Sequence, residues 1–204
     1  MNWLAHLYLS KPNDEYRLGN LLPDFARPPE YRHLQPEILA GVACHNLIDS
    51  FTDSHPVFRQ SINRLSPKYR RFGGIIIDVF YDHLLTAEWN CLGAPPLNEF
   101  TATVHNGIAA LYPLLPPEVA SRFEQVREAG ILDSYRSLDG VELALSRINH
   151  RLRGNVGLAA AVEDLRRHYD SLRGDYELFF PELRGRVAQF QETQTQTIPT
   201  VLKS

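Results

Sequence analysis

Residues 41–56 read GVACHNLIDSFTDSHP. Cys44, Leu47, Ile48 and Phe51 recur at steps of three and four, the spacing of one face of an α-helix rather than the alternation of a strand. On the other side stand His45, Asp49 and Asp53, each four residues after the last, so their side chains stack along one face. Two readings follow. The stripe solvates the outside of an amphipathic helix, with a weak His45–Asp49 pair at i, i+4, or it supplies donors to something positively charged.

The same periodicity extends outward in both directions, and strand alternation is nearly absent. Upstream, a short helix is predicted near 2–10 and a second over 14–22, ending near Pro23. The clustered prolines of ARPPEYRHLQP (26–36) predict a loop, and Pro36 suits the first turn of a helix reaching about residue 53. Downstream, helices are predicted over 56–65, 67–92, 98–113, 117–130, 138–153 and 157–192, the last interrupted by Pro181. CLGAPPL (91–97) reads as a turn, and residues 193–204 as a polar tail expected to fray. With no internal repeat and no linker, the expected architecture is a single all-α domain over 1–192, a helical bundle.

The chain has 204 residues, enough for one domain with a substantial core at 44% hydrophobic composition. A net charge of −3 provides no global basic field for nucleic acid. No apolar run approaches the ~18 residues of a membrane span, and the start lacks the basic region and cleavage site of a signal peptide. Cys44 and Cys91 form no CxxC pair, and a buried, inert thiol is the expected role for Cys44. A cytoplasmic protein is the expectation.

A second stretch, FGGIIIDVFYDHLLTAEW (72–89), sharpens the question of the polar stripe. Asp78 and Asp82 share a helix face near Ile75, Val79, Leu85 and Trp89, so burial is expected. Two co-facial buried carboxylates repel, and desolvation penalises both. An arginine, a shared proton or a metal cation must compensate. His83 reads equally as a hydrogen-bonded core histidine or a site residue. His6 lies inside the apolar NWLAHLYL, and Asp24 follows Pro23 at the mouth of a loop, where a cap or turn role is the alternative. Together His6, Asp24, His45, Asp49, Asp78 and Asp82 form a mixed nitrogen and oxygen set within the first 82 residues. Such a set suits Mn, Fe, Zn or Mg, held between inward-facing helices.

The segments MNWLAHLYLS (1–10), GNLLPDF (19–25), AGVACHNLIDSFTDSHP (40–56) and IIIDVFYDHLL (75–85) with Trp89 resemble the acyl carrier protein phosphodiesterases. The resemblance runs from the first residues to LRRHYDSL (165–172). It implies an HD-domain-like helical bundle with a non-standard motif order. It also implies metal-dependent hydrolysis of the phosphodiester joining 4'-phosphopantetheine to a serine of holo-acyl carrier protein. The implied metal ligands are His6, Asp24, His45, Asp49, Asp78 and Asp82. Asp49, His45 and His83 are the implied catalytic residues, and the cofactor is a divalent ion, typically Mn2+, with Mg2+ or Fe2+ as alternatives. One departure is plain: no adjacent His-Asp doublet occurs, and His45 with Asp49, or the reversed Asp82-His83, stands in its place.

Such a carrier protein is small and strongly acidic, so a local basic patch is expected to receive it. RQSINRLSPKYRR (59–71) supplies Arg59, Arg64, Lys68, Arg70 and Arg71, with no acid between Asp53 and Asp78. An ordinary solvated charge run is the alternative. Arg147, Arg151 and Arg153 with Arg166 and Arg167 form a second basic group. Two other functions compete: an HD-like phosphohydrolase of a nucleotide or small phosphodiester, and a non-catalytic module that binds acyl carrier protein. No P-loop or dinucleotide glycine motif supports a nucleotide.

Overall fold

The structure is a computed structural model describing residues 1–152 and 156–197, with side chains through residue 195. Every regular element among them is helical. The helices are α1 (Trp3–Leu9), α2 (Asp14–Phe25), α3 (Pro28–Tyr31), α4 (Pro36–Ser54), α5 (Pro56–Arg64) and α6 (Gly73–Ala87). They continue with α7 (Leu97–Ala110), α8 (Pro117–Glu128), α9 (Ile131–Ser134), α10 (Leu138–Arg151), α11 (Val162–Arg167) and α12 (Tyr169–Thr197). No helix among the described residues is long and apolar enough to cross a membrane.

Local chemistry sets most of the boundaries. Proline occupies the first turn of α4, α5 and α8, where its missing N–H is no loss. The Asn13 side chain accepts from the Tyr16 amide and caps α2, whose first turn carries Asp14 and Glu15 against the positive end of the dipole. Ser137 caps α10 in the same way through the Gly140 amide.

Five expectations are corrected. Pro23 does not end α2, which runs on to Phe25, because a proline in the last turn sacrifices only one intrahelical bond. Pro181 does not interrupt α12. Phe179, Phe180 and Leu183 are buried on either side of it, and their packing outweighs the local cost. The interruption falls upstream instead, at His168, whose backbone leaves the helical region between α11 and α12. The single helix expected over 67–92 is a 3-10 turn (Pro67–Phe72), then α6, then a second 3-10 turn (Trp89–Cys91). The Arg70 side chain donates to the carbonyls of Leu65 and Asn63 and ties down the first of these turns. In the predicted loop 26–36, α3 forms one short turn of helix. Helix α12 reaches Thr197, past the expected start of the tail at 193, and residues 198–204 lie outside the described residues.

One buried ionic knot fastens α12 across α5. Asp175 is 3% exposed and accepts from Arg64 Nε at 2.7 Å, Arg64 Nη2 at 3.0 Å, Ser61 Oγ at 2.8 Å and Gln60 Nε2 at 2.8 Å. Removing one member of such a network strands the others. Asp175→Ala is expected to lower unfolding free energy by about 3 kcal/mol. The check is the urea midpoint at constant m-value, and a change within ~0.5 kcal/mol would contradict it.

Candidate functional site

Helices α1, α2 and α4 meet where α2 and α4 cross through two glycines. A Cβ on Gly19 would overlap the Ile38 carbonyl oxygen, and a Cβ on Gly41 would overlap the Tyr16 carbonyl oxygen. Backbone therefore lies against backbone. This approach delivers Asn20, fully buried, to both histidines of the site.

Asn20 Nδ2 donates to the His6 carbonyl at 2.9 Å and to Ser10 Oγ at 2.8 Å, which turns its Oδ1 toward His6 Nδ1 at 3.0 Å. The Asn20 carbonyl accepts from His45 Nδ1 at 2.9 Å. Both acceptors require the proton on Nδ1, so the neutral tautomer of each ring presents a bare Nε2. The two rings stack with centroids 4.5 Å apart. Their Nε2 atoms converge on Asp49, His6 at 3.2 Å from Oδ1 and His45 at 3.0 Å from Oδ2. The Met1 carbonyl lies 3.2 Å from His6 Nε2 as well. Ligand atoms of His6, His45 and Asp49 all fall within 4.8 Å of one another.

Two nitrogen lone pairs, a carboxylate and a carbonyl are all acceptors, and they share this space only with positive charge among them. Protons on the imidazoles are one solution. For His45, burial lowers the pKa, but the hydrogen bond and charge of Asp49 outweigh it and leave it raised. Burial opposes ionisation of Asp49, yet the two imidazoles hold its carboxyl far below the usual carboxylate range. A divalent cation is the other solution, and the donor set fits one: two imidazole nitrogens and a carboxylate, each histidine backed by a carbonyl acceptor.

Asp49 opens onto a cavity of about 410 Å³ that Asp24, Asp53 and Asp78 also line. Among the described residues, Arg151 is the one basic side chain in that lining. Asp24 Oδ2 accepts from Trp3 Nε1 at 3.0 Å. Asp78 Oδ1 sits 2.7 Å from the Met1 amino group; burial raises its pKa and that ammonium opposes the rise.

Asp82 lies beneath, 0% exposed, with both oxygens occupied. Oδ2 accepts from the Leu4 amide at 2.8 Å and Oδ1 from the Ala5 amide at 3.1 Å. Burial pushes its pKa up to about 7 against those two bonds. It caps the N-terminus of α1 from α6, and so fixes the helix that carries His6. Among the described residues, the compensation for the co-facial carboxylates is thus an amino group and two backbone amides, with no arginine.

His83 is not brought to this cluster. Its Nδ1 pairs with the Tyr135 carbonyl at 2.8 Å and its Nε2 with the Tyr169 hydroxyl at 3.2 Å, and burial lowers its pKa. Cys44 is buried, and burial pushes its thiol up. The basic run does not line the cavity either. Arg64 is spent on Asp175, and Arg70 on backbone carbonyls. Arg59 Nε donates to the Asp53 carbonyl at 3.3 Å. Lys68 and Arg71 lie over the rings of Tyr69 and Phe72. In the second group, Arg166 pairs with Asp139 and Arg167 with Asp164, and Arg153 lies outside the described residues.

Sequence reasoning passed over Asn20. A signal existed: an amide among Leu18, Leu21 and Leu22 on one helix must find buried partners. In sequence Arg151 stands out only as a member of the second basic group, and its place at the cavity wall had no signal, since α10 lies far from the motifs in sequence.

The family model described as acyl carrier protein phosphodiesterase matches residues 1–183. A protein of Salmonella dublin named acyl carrier protein phosphodiesterase is 31% identical over 190 residues, covering 93% of this chain and 98% of its own. Proteins of the same name from Salmonella agona (strain SL483) and Salmonella paratyphi A are 30% identical over the same coverage. No solved structure matches the chain.

Proposed function

The chain belongs to the acyl carrier protein phosphodiesterase family, and we propose that it removes 4'-phosphopantetheine from the serine of holo-acyl carrier protein in the cytoplasm, using a divalent cation, manganese first among them. The observation that carries this reading is the convergence of His6 Nε2, His45 Nε2 and the Asp49 carboxylate at the edge of an acid-lined cavity. His6, His45 and Asp49 would hold the ion, and Asp24 and Asp78, which line the same cavity, are the further carboxylates proposed to serve it. When bound there, such an ion lowers the pKa of water and neutralises charge on phosphoryl oxygens.

The protein's own part is orientation and charge. Asn20 fixes both imidazoles in the tautomer that leaves Nε2 free. Asp82 anchors α1, so that His6 keeps its place opposite His45. Asp49 remains ionised across the working pH range, which suits it to orient water rather than to store a proton. Arg151 offers the cavity a positive group for a phosphate oxygen. In the reaction the water oxygen bonds to phosphorus and the phosphorus–serine oxygen bond breaks. Serine recovers a proton, and the products are the apo-carrier protein and 4'-phosphopantetheine. His45 and Asp49, one turn apart on α4, then stand for the adjacent doublet of HD-type enzymes.

The test sets holo-carrier protein against free nucleotides and an aryl phosphodiester at equal concentration. The carrier protein is expected to be the preferred substrate, whereas fast nucleotide turnover with an intact carrier protein would overturn the assignment. Ion binding has its own signature. At manganese a hundredfold above Kd, a native-state ligand adds about 2.7 kcal/mol, so thermal unfolding is expected to shift upward by several degrees. The shift is expected to vanish in His45→Ala. An equal shift in both proteins would place the ion elsewhere.

A further inference from the structure

A second cleft, of about 610 Å³, adjoins the acid-lined cavity and shares Trp3, Asp24 and Arg151 with it. We infer that this cleft seats the pantetheine arm of the substrate, with Arg151 at the junction holding the phosphate and Arg147 facing the arm's amide carbonyls. The inference rests on the phosphodiesterase reading above and adds to it the place of the leaving arm.

Four observations carry it. First, the two spaces meet at Trp3, Asp24 and Arg151, which line both, so a phosphate held by Arg151 at the acid-lined end stands beside the cleft that would take its substituent. Second, Arg147 and Arg151 lie one turn apart on α10 and form no ion pair among the described residues, and Nη1 of Arg147 is buried with no hydrogen-bond partner. The neighbouring Arg166 and Arg167 are, by contrast, paired with acids. A buried guanidinium N–H without an acceptor is costly, and a ligand oxygen would relieve it.

Third, among the described residues Asp24 is the one carboxylate in the cleft lining, and the Trp3 indole N–H already binds it. Arg122 is held by the Phe25 carbonyl at 2.7 Å. Gln125 and His150 also line the cleft and can accept as well as donate, so the unpaired charge it offers is the positive charge of Arg147 and Arg151, which suits ligand oxygens. Fourth, part of the wall is apolar, supplied by Phe25, Val126 and Ile131. A gem-dimethyl carbon and short methylene runs suit that wall, and two amide carbonyls suit the arginine side. The volume lies within the ~300–1,000 Å³ usual for small-ligand sites.

The test is isothermal titration of the manganese-loaded protein with free 4'-phosphopantetheine and, separately, with inorganic phosphate. The arm is expected to add about tenfold in affinity over phosphate alone. Arg147→Gln and Ala129→Trp, the latter placing a bulky ring in the cleft from an exposed position, are each expected to remove that increment. Both variants are expected to keep the manganese-induced thermal shift, which reports a folded protein with its ion. Equal affinity for the two ligands in the wild type, or wild-type affinity in both variants, would overturn the assignment. Intact masses of holo-carrier protein separate the two levels. A wild type that leaves the carrier protein unchanged sinks the phosphodiesterase reading. A wild type that releases the arm, with both variants retaining its KM, sinks the cleft alone.

Discussion

Asp49→Ala is expected to reduce kcat/KM for holo-carrier protein by about a thousandfold or more, with little loss of stability. Asp49 is the point on which both imidazoles converge, at 3.0 and 3.2 Å, and the side chain is half-exposed, so its removal leaves no cavity in the core. What it does remove is the negative charge that balances whatever cation the two Nε2 atoms share. Metal content should therefore fall together with turnover, and both are measured on the same preparation. Full manganese occupancy with lost activity would assign Asp49 to the water alone. Retained activity would remove it from the site.

Gly41→Leu is expected to abolish stable folding, and Gly41→Ala to lower unfolding free energy by about 4 kcal/mol, at the upper end of single-residue effects. The reason is what a Cβ would meet. At Gly41 it would overlap the Tyr16 carbonyl oxygen and approach the Asn20 amide nitrogen to 2.9 Å and the Gly19 Cα to 3.0 Å. All three atoms are backbone of α2, so no rotamer change relieves the contact and the helices must part. Native domains hold only ~5–15 kcal/mol in total. Parting α2 from α4 would also draw the Asn20 carbonyl away from His45 Nδ1. Gly174, in the second turn of α12, would place a Cβ with no heavy atom within 4 Å. There alanine is expected to stabilise by up to ~1 kcal/mol through helix propensity. Urea denaturation of the two alanine variants checks both signs. Gly41→Ala within 1 kcal/mol of wild type would mean that the crossing is looser than described.

Much of the fold was legible because its signals are local. Prolines at first turns, the Asn13 and Ser137 caps and the three-four spacing of apolar residues all act within a few residues, and each marks a helix found in the structure. The misreadings came where a proline cost less than expected, in the last turn of α2 at Pro23 or beneath buried packing at Pro181, or where a segment too short for an α-helix took a 3-10 turn, as at 67–72. The site divides in the same way. His45 and Asp49 share one helix, and their spacing alone suggests a pair. His6 joins them only because Asp82, 76 residues later in the chain, caps α1, and because α2 and α4 cross through glycine. Asp78 and Asp82 were rightly suspected of needing compensation, but backbone amides leave no trace in residue types. His83 shows the limit of a doublet: adjacency in sequence points the two side chains in different directions on a helix.

The most direct test is the intact mass of holo-acyl carrier protein after incubation with this protein and manganese, with chelator, and with the Asp49→Ala variant. Loss of the phosphopantetheine mass in the first sample alone is the expected result. Loss that persists in chelator or in the variant would contradict a reaction centred on His6, His45 and Asp49, and an unchanged carrier protein with the manganese-loaded wild type would contradict the assigned substrate.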